Sequence, residues 1–221
     1  MAGEGRWYPG LPRVAVLGAG QVGSVIARPA VDAGYDASIA SSGDPEDIEL
    51  ISRVLAPGAE RRWAIDAVED ADIVVLAIPL HRFAALPPQL LADRLVVDTM
   101  NYWPPVDAVQ EIFEDGDFTS SEIVQRRLPR STVVKTLNHI GYHELGQDRR
   151  SLGSPDRRAL GVAGDDPGAV EIVSDVVKRI GYETVRLGSL SAGRLLQPGG
   201  PVFGVPLHRY DFEAVVGAEA A

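Results

Sequence analysis

Three glycines near the amino terminus constrain the fold more than any other feature of the chain. Gly18, Gly20 and Gly23 stand in the segment GAGQVG. The short apolar run 14–17 precedes this segment, and small apolar residues follow it over 22–33. A strand that turns directly into a helix uses such glycines for a tight turn, for close approach of the backbone to a phosphate, and for close helix packing. The pattern therefore predicts a βαβ unit that binds a dinucleotide, and a purely structural turn is the alternative interpretation.

The end of the second predicted strand bears on the choice of dinucleotide. Residues 37–40 can form this strand, and Ser41, Ser42 and Gly43 follow it. An acidic side chain at this place typically holds the ribose 2′-hydroxyl of NAD, whereas basic or hydroxyl side chains suit the 2′-phosphate of NADP. The two serines therefore favour NADP(H), although Asp44 adds a negative charge and a simple turn is the alternative interpretation.

The remaining chain alternates apolar strands with helical segments. The runs 73–78 and 95–97 are too uniformly apolar for a sheet with one wet face, which favours a parallel sheet covered on both sides. Further strands are predicted over 132–137, 159–163 and 184–187, and helices over 45–55, 120–128 and 167–180. This rhythm predicts an α/β fold, a doubly wound Rossmann unit with a mostly parallel sheet and a small C-terminal portion.

The length of 221 residues suits one domain with a small annex. We expect a flexible lead-in over 1–12, a dinucleotide-binding Rossmann domain over 13–130, and a small substrate or dimerisation portion over 131–221. The apolar segment 202–207 is a candidate contact for a homodimer or a higher homo-oligomer. The polar stretch 146–158 is the expected mobile loop.

Composition excludes several classes of function. The chain has no cysteine, which removes disulfides, thiolate metal sites, iron–sulfur clusters and thiol catalysis. Redox chemistry must then belong to a bound cofactor. The net charge of −10 argues against nucleic-acid and anionic membrane partners. Since no apolar run approaches the roughly 20 residues that span a bilayer, and no signal peptide is evident, we expect a cytoplasmic enzyme with a small-molecule partner.

Polar and aromatic residues follow three of the predicted strands, where ligands sit in open α/β sheets. Leu80 and His81 follow one strand, and the segment DTMNYW at 98–103 follows the next. A third group contains Asn138, His139 and His143.

His139 is the candidate proton donor, although a histidine here can also orient a carbonyl or cap backbone groups. His139, His143 and Glu144 are spaced like zinc ligands, but no helix pattern or third ligand supports them, so we expect no metal.

The chain resembles F420-dependent NADP oxidoreductases over nearly its whole length. The matching segments, in the order of that family, are GAGQVG at 18–23, the pair Ser41 and Ser42, AIPLH at 77–81, DTMNYW at 98–103, SSEIV at 120–124, VVKTLNHIGYHEL at 133–145, VAGDD at 162–166 and LGSLSAGRLLQPG at 187–199. The resemblance implies that nicotinamide and deazaflavin stack face to face and that hydride passes between them. It therefore implies NADP(H) as cofactor and coenzyme F420 as co-substrate.

The resemblance also implies roles for single residues. Backbone groups of the pyrophosphate turn would come from Gly18, Ala19, Gly20, Gln21, Val22 and Gly23. Ser41 and Ser42 would face the adenosine 2′-phosphate, and Leu80 would border the dinucleotide. Trp103 and Tyr142 would lie near the nicotinamide. We expect the acceptor over Tyr102, Trp103 and Asn138, with Asn101 as a further cofactor-binding residue. The chain departs from the NADP-preferring members of the family because it has no arginine directly after the second strand.

Binding of F420, which carries phosphate and carboxylates, calls for local cations. Guanidinium groups suit both kinds of anion. The candidate clusters are Arg126, Arg127 and Arg130, and Arg149, Arg150, Arg157 and Arg158; a solvated surface is the alternative interpretation. Two other functions also stay open at this point. One is an NADPH-dependent reductase of an imine, carbonyl or metal chelate that uses His139 as proton donor, and the other is a non-catalytic NADP(H) sensor.

Overall fold

The computed structural model describes residues 10–107, 109–114 and 116–219, which fold around one eight-stranded sheet. The strands are β1 Val14–Leu17, β2 Ala37–Ala40, β3 Glu60–Arg61, β4 Ile73–Leu76, β5 Leu95–Asp98, β6 Thr132–Lys135, β7 Ala159–Gly164 and β8 Glu183–Arg186. The helices are α1 Gln21–Asp32, α2 Glu49–Leu55, α3 Ala64–Asp70, α4 Leu80–Phe83, α5 Pro104–Asp107, α6 Ser120–Arg127, α7 Tyr142–Gln147, α8 Pro167–Arg179 and α9 Arg209–Glu219. Short 3-10 helices cover Pro45–Ile48, Pro88–Leu91, Glu111–Phe113 and Leu190–Leu196. Residues 1–9 of the expected lead-in lie outside the described residues.

The strands are arranged in the order β3-β2-β1-β4-β5-β6-β7-β8. Neighbours among the first six strands pair in parallel. The strand β7 then joins β6 in the antiparallel sense through only two residue pairs, Val134 with Gly164 and Lys135 with Ala163. The first six strands have the order of a dinucleotide-binding Rossmann sheet. The predicted α/β fold with a doubly wound, mostly parallel sheet is therefore confirmed.

Alternate residues of the inner strands are buried on opposite faces of the sheet. In β1, Val14 and Val16 pack into one apolar cluster with residues of α1 and α8. Ala15 and Leu17 pack into a second cluster with residues of α3 and α6. Because side chains alternate across a strand and helices cover both faces, every position of the strand is apolar. This arrangement explains the uniform apolar runs in the sequence.

A third and smaller apolar cluster lies at the β7–β8 end of the sheet. It consists of Ala159, Val185, Leu196, Val202 and Phe212, with Leu207 packed against it. Two apolar side chains of segment 202–207 therefore serve the protein's own core. A role for that segment in a homo-oligomer, and the division of the chain at residue 130, stay predictions. Of the helices described, none is both long enough and apolar enough to cross a membrane.

The strand predicted over 132–137 ends two residues early, at Lys135. The strand ends because the backbone of Leu137 has a φ of 63°. This value lies in the left-handed region that residues other than glycine rarely adopt. Its side chain is 4% exposed and belongs to the core. Apolar character at this position thus reflects burial in a turn rather than extension of the strand.

Candidate functional site

The turn between β1 and α1 contains two positions that only glycine fits. Gly18 has a φ of 121°, and a Cβ atom there would lie 2.2 Å from the carbonyl oxygen of Ala77. A Cβ atom on Gly23 would lie 1.7 Å from the carbonyl oxygen of Gly18. These contacts leave no room for a side chain. The two glycines therefore let α1 pack closely on β1 and on the segment after β4.

Gly20 differs from its two neighbours in the motif because the fold does not require glycine there. A Cβ atom on Gly20 would meet no described atom within 4 Å. Gly20 is the N-cap of α1, and among the described side chains none caps this helix. Unpaired amides at the start of a helix next to open space suit a pyrophosphate group. Gln21 and Val22 are exposed beside this space, and Ala19 is buried beneath it.

The serines after β2 lie next to the glycine turn, because the Gly18 amide donates a hydrogen bond to the Ala40 carbonyl at 2.8 Å. Ser41 Oγ accepts a hydrogen bond from the Gly43 amide at 3.2 Å, so this side chain closes a turn. Ser42 is exposed to solvent. Of the two serines, Ser42 is thus the better placed to meet a 2′-phosphate.

Asp44 has a local structural role beside the two serines. Its side chain caps the following 3-10 helix by accepting a hydrogen bond from the Glu46 amide at 2.9 Å. An aspartate at such a position stabilises the start of the helix. This capping role explains the carboxylate of Asp44 next to Ser42, and no role in selecting the dinucleotide is needed to account for it.

The residues assigned by resemblance to the nicotinamide side differ in their exposure. Leu80 is 2% exposed at the start of α4, within the apolar cluster that also contains α3 and α6 residues. Trp103 is 43% exposed, and its ring centroid lies 6.2 Å from that of Phe203, a residue that the sequence analysis did not single out. Tyr142 begins α7, which packs against α1, and its ring is tilted by 38° against that of His143, with centroids 4.0 Å apart. Trp103 and Phe203 thus form an aromatic surface with a solvent-facing edge.

Asn101 and Asn138 form a reciprocal pair between the segments that follow β5 and β6. Asn101 Nδ2 donates to the Asn138 carbonyl at 2.7 Å, and Asn138 Nδ2 donates to Asn101 Oδ1 at 2.9 Å. Asn138 Nδ2 also donates to the Leu196 carbonyl at 2.6 Å. Asn138 is 4% exposed, whereas Asn101 is half-buried. Asn101 is therefore the member of the pair that can meet a ligand.

His139 has a structural position rather than that of a proton donor. It is 2% exposed, and its Nε2 accepts a hydrogen bond from the Gly161 amide at 3.1 Å. Its proton then sits on Nδ1, which lies 3.4 Å from Asn138 Oδ1. Burial, with smaller contributions from the charges of Arg158 and Lys135, lowers the pKa of His139 to about 3. A buried neutral imidazole whose Nε2 is occupied favours the backbone-capping alternative, so the geometry argues against the proton-donor hypothesis.

A buried ion pair lies directly beneath the two asparagines. Asp98 and Lys135 are both 0% exposed and stand opposite each other at the ends of β5 and β6. Lys135 Nζ lies 3.2 Å from Asp98 Oδ2 and also donates to the Met100 carbonyl. Ser121 Oγ donates to Asp98 Oδ2 at 2.7 Å. Sequence analysis did not single out Lys135, although a lysine that ends an apolar strand next to an aspartate-terminated strand was a usable signal.

The first arginine cluster lies at the edge of the sheet opposite the glycine turn. Arg130 pairs with Asp93, just before β5 begins. Arg127 donates to the Ala84 carbonyl at 2.7 Å, and the Arg126 guanidinium lies 3.6 Å from the centroid of the Phe118 ring. The helix α6 runs back along the sheet, so its last residues reach the amino ends of the strands. The expectation that this cluster serves an acceptor at the carboxyl ends is therefore wrong.

The second arginine cluster fastens α7 and the following segment to the rest of the fold. Arg157 and Arg158 are each only 5% exposed. Arg158 Nη1 lies 2.8 Å from Glu144 Oε2 and 2.9 Å from Asp148 Oδ2. Arg157 donates to backbone carbonyls, including that of Tyr182. The guanidinium groups of Arg157 and Arg158 are internal, so these two do not form the expected basic surface. Arg149 is half-buried and pairs with Asp32, whereas Arg150 is exposed.

The Glu144 carboxylate forms an ion pair with Arg158. It is therefore not available as the metal ligand that the sequence spacing suggested. Throughout the part of the chain that the structure describes, no three His, Cys, Asp or Glu side chains come together as a metal-binding group. Lys135 and Arg158 instead pair with carboxylates, and Arg157 with backbone carbonyls. The candidate site thus consists of a glycine turn after β1 and an asparagine pair after β5 and β6, at the carboxyl ends of parallel strands of one sheet.

Comparison with known proteins finds similarity to a family of oxidoreductases over the first part of the chain. Residues 13–102, which extend from just before β1 to the segment after β5, match the model of the family described as NADP oxidoreductase, coenzyme F420-dependent. The rat (Rattus norvegicus) metalloreductase STEAP3 is 23% identical over 185 residues, which cover 83% of this chain. The chain spans about a third of that relative, 35% of its length.

Two solved structures share the fold over most of the chain. A hypothetical protein from Sinorhizobium meliloti is 28% identical with a TM-score of 0.77, and the match covers 89% of this chain and 95% of the other. A candidate F420-dependent NADP reductase from Arthrobacter sp. FB24 is 22% identical with a TM-score of 0.69, and that match covers 90% of this chain and 100% of the other. The fold therefore extends beyond the matched family segment to the described C-terminal elements.

Proposed function

We propose that this chain transfers hydride between NADP(H) and F420, and the match of residues 13–102 to the model of the coenzyme F420-dependent NADP oxidoreductases supports the proposal. The observation that carries this proposal is the turn at Gly20, where an uncapped helix start faces open space. A fold without a ligand at this place would gain a few tenths of a kcal/mol from a capping side chain such as serine or aspartate. Glycine here is explained by a group that binds to the amides instead.

Different residues at the carboxyl ends of the strands would bind different parts of the dinucleotide. Backbone amides of Ala19 to Val22 would hold the pyrophosphate, and the Ser42 hydroxyl would bond to the 2′-phosphate. Leu80 would border the dinucleotide from below. When bound, NADPH would supply the hydride, and oxidised F420 would take it together with one proton from solvent, leaving NADP⁺ and reduced F420.

The nicotinamide side would act by orientation. Asn101 would hold one ring through its half-buried amide, while Trp103 and Phe203 offer an apolar surface for the other ring and exclude water. Tyr142 would border the nicotinamide from α7. Holding two reactants at near-attack distance can lower a barrier by about 7 kcal/mol or more without any acid or base from the protein. This mechanism therefore suits a site whose histidine is buried and neutral.

Two arginines outside the clusters considered from the sequence are candidate cations for the anionic tail of F420. Arg82 and Arg194 are exposed, and both stand on segments at the carboxyl edge of the sheet. Arg82 lies in α4, directly after β4, and Arg194 lies in the 3-10 helix whose Leu196 carbonyl accepts from Asn138. Guanidinium groups bind phosphate and carboxylate through paired hydrogen bonds. We assign the F420 tail to the Arg194 side, next to the asparagine pair.

The proposal is tested by mixing purified protein with NADPH and oxidised F420 and following the absorbance of the deazaflavin, with NADH in a parallel sample. Loss of the oxidised band with NADPH, at a rate that increases with protein concentration, is the expected result. The ratio of the rates with NADPH and NADH reports what Ser42 selects. NADPH binding without any change of the F420 band contradicts F420 reduction.

Reduction of a metal chelate is the second candidate function, because the similarity to a metalloreductase extends over 83% of this chain. NADPH would then pass a hydride to a free flavin at the Trp103 surface, and the reduced flavin would reduce two ferric chelates by one electron each, which leaves NADP⁺, two ferrous chelates and one proton. A free flavin and a ferric chelate in place of F420, with the ferrous product detected by a coloured chelator, distinguish the two. Turnover with the chelate and none with F420 would select the second candidate.

A further inference from the structure

The buried ion pair holds both backbone polar groups of one residue. Asp98 Oδ1 accepts a hydrogen bond from the Met100 amide at 2.9 Å, and Lys135 Nζ donates to the Met100 carbonyl. Ser121, in the first turn of α6, donates to the same carboxylate from the other side. The peptide units on either side of Met100 are therefore fixed by two charged side chains that have no exposure to solvent.

Met100 is directly followed by Asn101, the more exposed member of the asparagine pair. Fixing the Met100 carbonyl fixes the peptide plane from which Asn101 starts, and hence the direction of its side chain. The stem of Lys135 also lies beside the 3-10 helix 190–196, since even a Cβ atom added to Gly193 would come within 3.3 Å of Lys135 Cγ. The same 3-10 helix accepts a hydrogen bond from Asn138. Lys135 thus holds the support of Asn101 and lies next to a support of Asn138.

Stability alone does not explain a lysine in this position. Burial lowers the pKa of Lys135, while the charge and hydrogen bond of Asp98 oppose that change. Replacement of a buried ion pair by well-packed apolar residues is often neutral or stabilising, so such a pair is weak evidence for stability. An apolar side chain cannot, however, donate a hydrogen bond to the Met100 carbonyl. The ion pair therefore provides a buried hydrogen-bond donor, Lys135 Nζ, for the Met100 carbonyl.

We propose that Lys135 is a positioning residue, which uses its buried ammonium group to hold the Met100 carbonyl and thereby aims the Asn101 amide at the reacting rings. The inference rests on the proposed function, in which Asn101 meets the ligand. Lys135 itself does not touch NADP(H) or the acceptor. Loss of its amine should therefore slow hydride transfer while leaving the remote pyrophosphate turn of β1 and α1 intact.

The test compares a double variant, Asp98→Asn with Lys135→Met, with the wild type. The two changes remove both charges together, so neither partner is left buried and unpaired, while the oxygen of the introduced side-chain amide can still accept from the Met100 amide. The matched control is Asp175→Asn with Lys178→Met, which removes the chain's other lysine from an exposed ion pair on α8. Single-turnover hydride transfer and NADPH affinity are measured for each protein.

We expect the double variant to fold, to bind NADPH within about threefold of the wild-type affinity, and to transfer hydride at least about tenfold more slowly. The control should match the wild type in both measurements. A merely structural role predicts that a folded double variant transfers hydride normally. Wild-type transfer rates in the folded double variant would therefore overturn the inference.

A second measurement does not depend on any acceptor or on the double variant. The side-chain amide protons of Asn101, assigned by NMR through their loss in Asn101→Asp, should exchange with solvent at least about tenfold more slowly than those of an exposed asparagine-containing peptide. Exchange at the rate of the free peptide overturns the inference. If the wild type reduces neither F420 nor a ferric chelate, the proposed function fails, while this exchange rate still decides whether Asn101 is held.

Discussion

The carbonyl oxygen of Gly18 occupies the place of a side chain at Gly23, since a Cβ atom on Gly23 would lie 1.7 Å from it. Both glycines therefore belong to the fold, whereas Gly20 faces open space. The three glycines of one motif can thus be separated by experiment into those that shape the turn and the one that leaves room for a ligand.

Gly20→Ala should leave the protein folded, with a loss of about 1 kcal/mol because alanine is a poorer N-cap than glycine. Its methyl group would stand where the pyrophosphate approaches, so the rise in melting temperature on adding NADPH should largely disappear. Gly23→Ala serves as the comparison and should fail to reach the native melting temperature even without ligand. A Gly20→Ala protein with the full NADPH-induced rise would contradict the assigned pyrophosphate site.

Ser42→Arg should improve NADPH binding about tenfold, because a guanidinium can bond bidentately to the 2′-phosphate. NADH affinity should change little. Ser42→Asp is the matched change of opposite charge and should reverse the preference. Dissociation constants from the fluorescence of the reduced nicotinamide at two salt concentrations measure both effects. If neither variant alters the ratio of NADPH to NADH affinity, the adenosine end lies elsewhere.

His139 should make the protein less stable as the pH falls from about 6.5 toward 3, because burial holds its pKa near 3 in the folded state. The unfolded chain takes up a proton in this range and the folded chain does not, so the stability that is complete above pH 6.5 is lost at up to about 1.4 kcal/mol per pH unit.

Urea unfolding of the wild type and of His139→Gln at several pH values between neutral and mildly acidic isolates this effect, since other titrating groups are common to both proteins. Glutamine can still accept the hydrogen bond of the Gly161 amide. We expect the wild type to lose stability more steeply than the variant. Parallel curves would mean that His139 titrates normally and is open to solvent.

Arg194→Gln should raise the KM for F420 about threefold to tenfold, and the difference should shrink at high salt because charge attraction is screened. NADPH affinity should stay unchanged. Arg130→Gln is the matched control, since Arg130 pairs with Asp93 at the opposite edge of the sheet. Equal effects of the two substitutions would indicate a general effect of net charge rather than an F420 site at Arg194.

The features that the sequence predicted well are those made by neighbouring residues. The spacing of the glycines within 18–23 marks the turn, although the requirement for Gly18 comes from Ala77. The apolar runs of the inner strands reflect burial on two faces. The edges of these elements were less predictable, because the left-handed backbone of Leu137 ends β6 for reasons that apolarity does not reveal.

The features that the sequence could not supply depend on which distant residues meet. Asn101 and Asn138 are 37 positions apart, and their pairing follows from the register of β5 against β6. The arginines illustrate the same limit. Their clustering in the sequence indicated local positive charge, but it did not indicate at which edge of the sheet each arginine lies or how deeply its side chain is buried. Arg158 and Arg130 look alike in the sequence, yet one is 5% exposed and the other lies at the surface.

Because β6 and β7 overlap over only two residue pairs, the polar residues that follow β6 have a structural role next to β7. Where the two strands diverge, Thr136 Oγ1 donates to the Gly161 carbonyl at 2.8 Å, and His139 Nε2 accepts from the Gly161 amide. Side chains thus replace the main-chain ladder on both polar groups of one residue. Because Thr136 and His139 are committed to the backbone of Gly161, the determinants of acceptor choice should be sought at Trp103 and Phe203 instead.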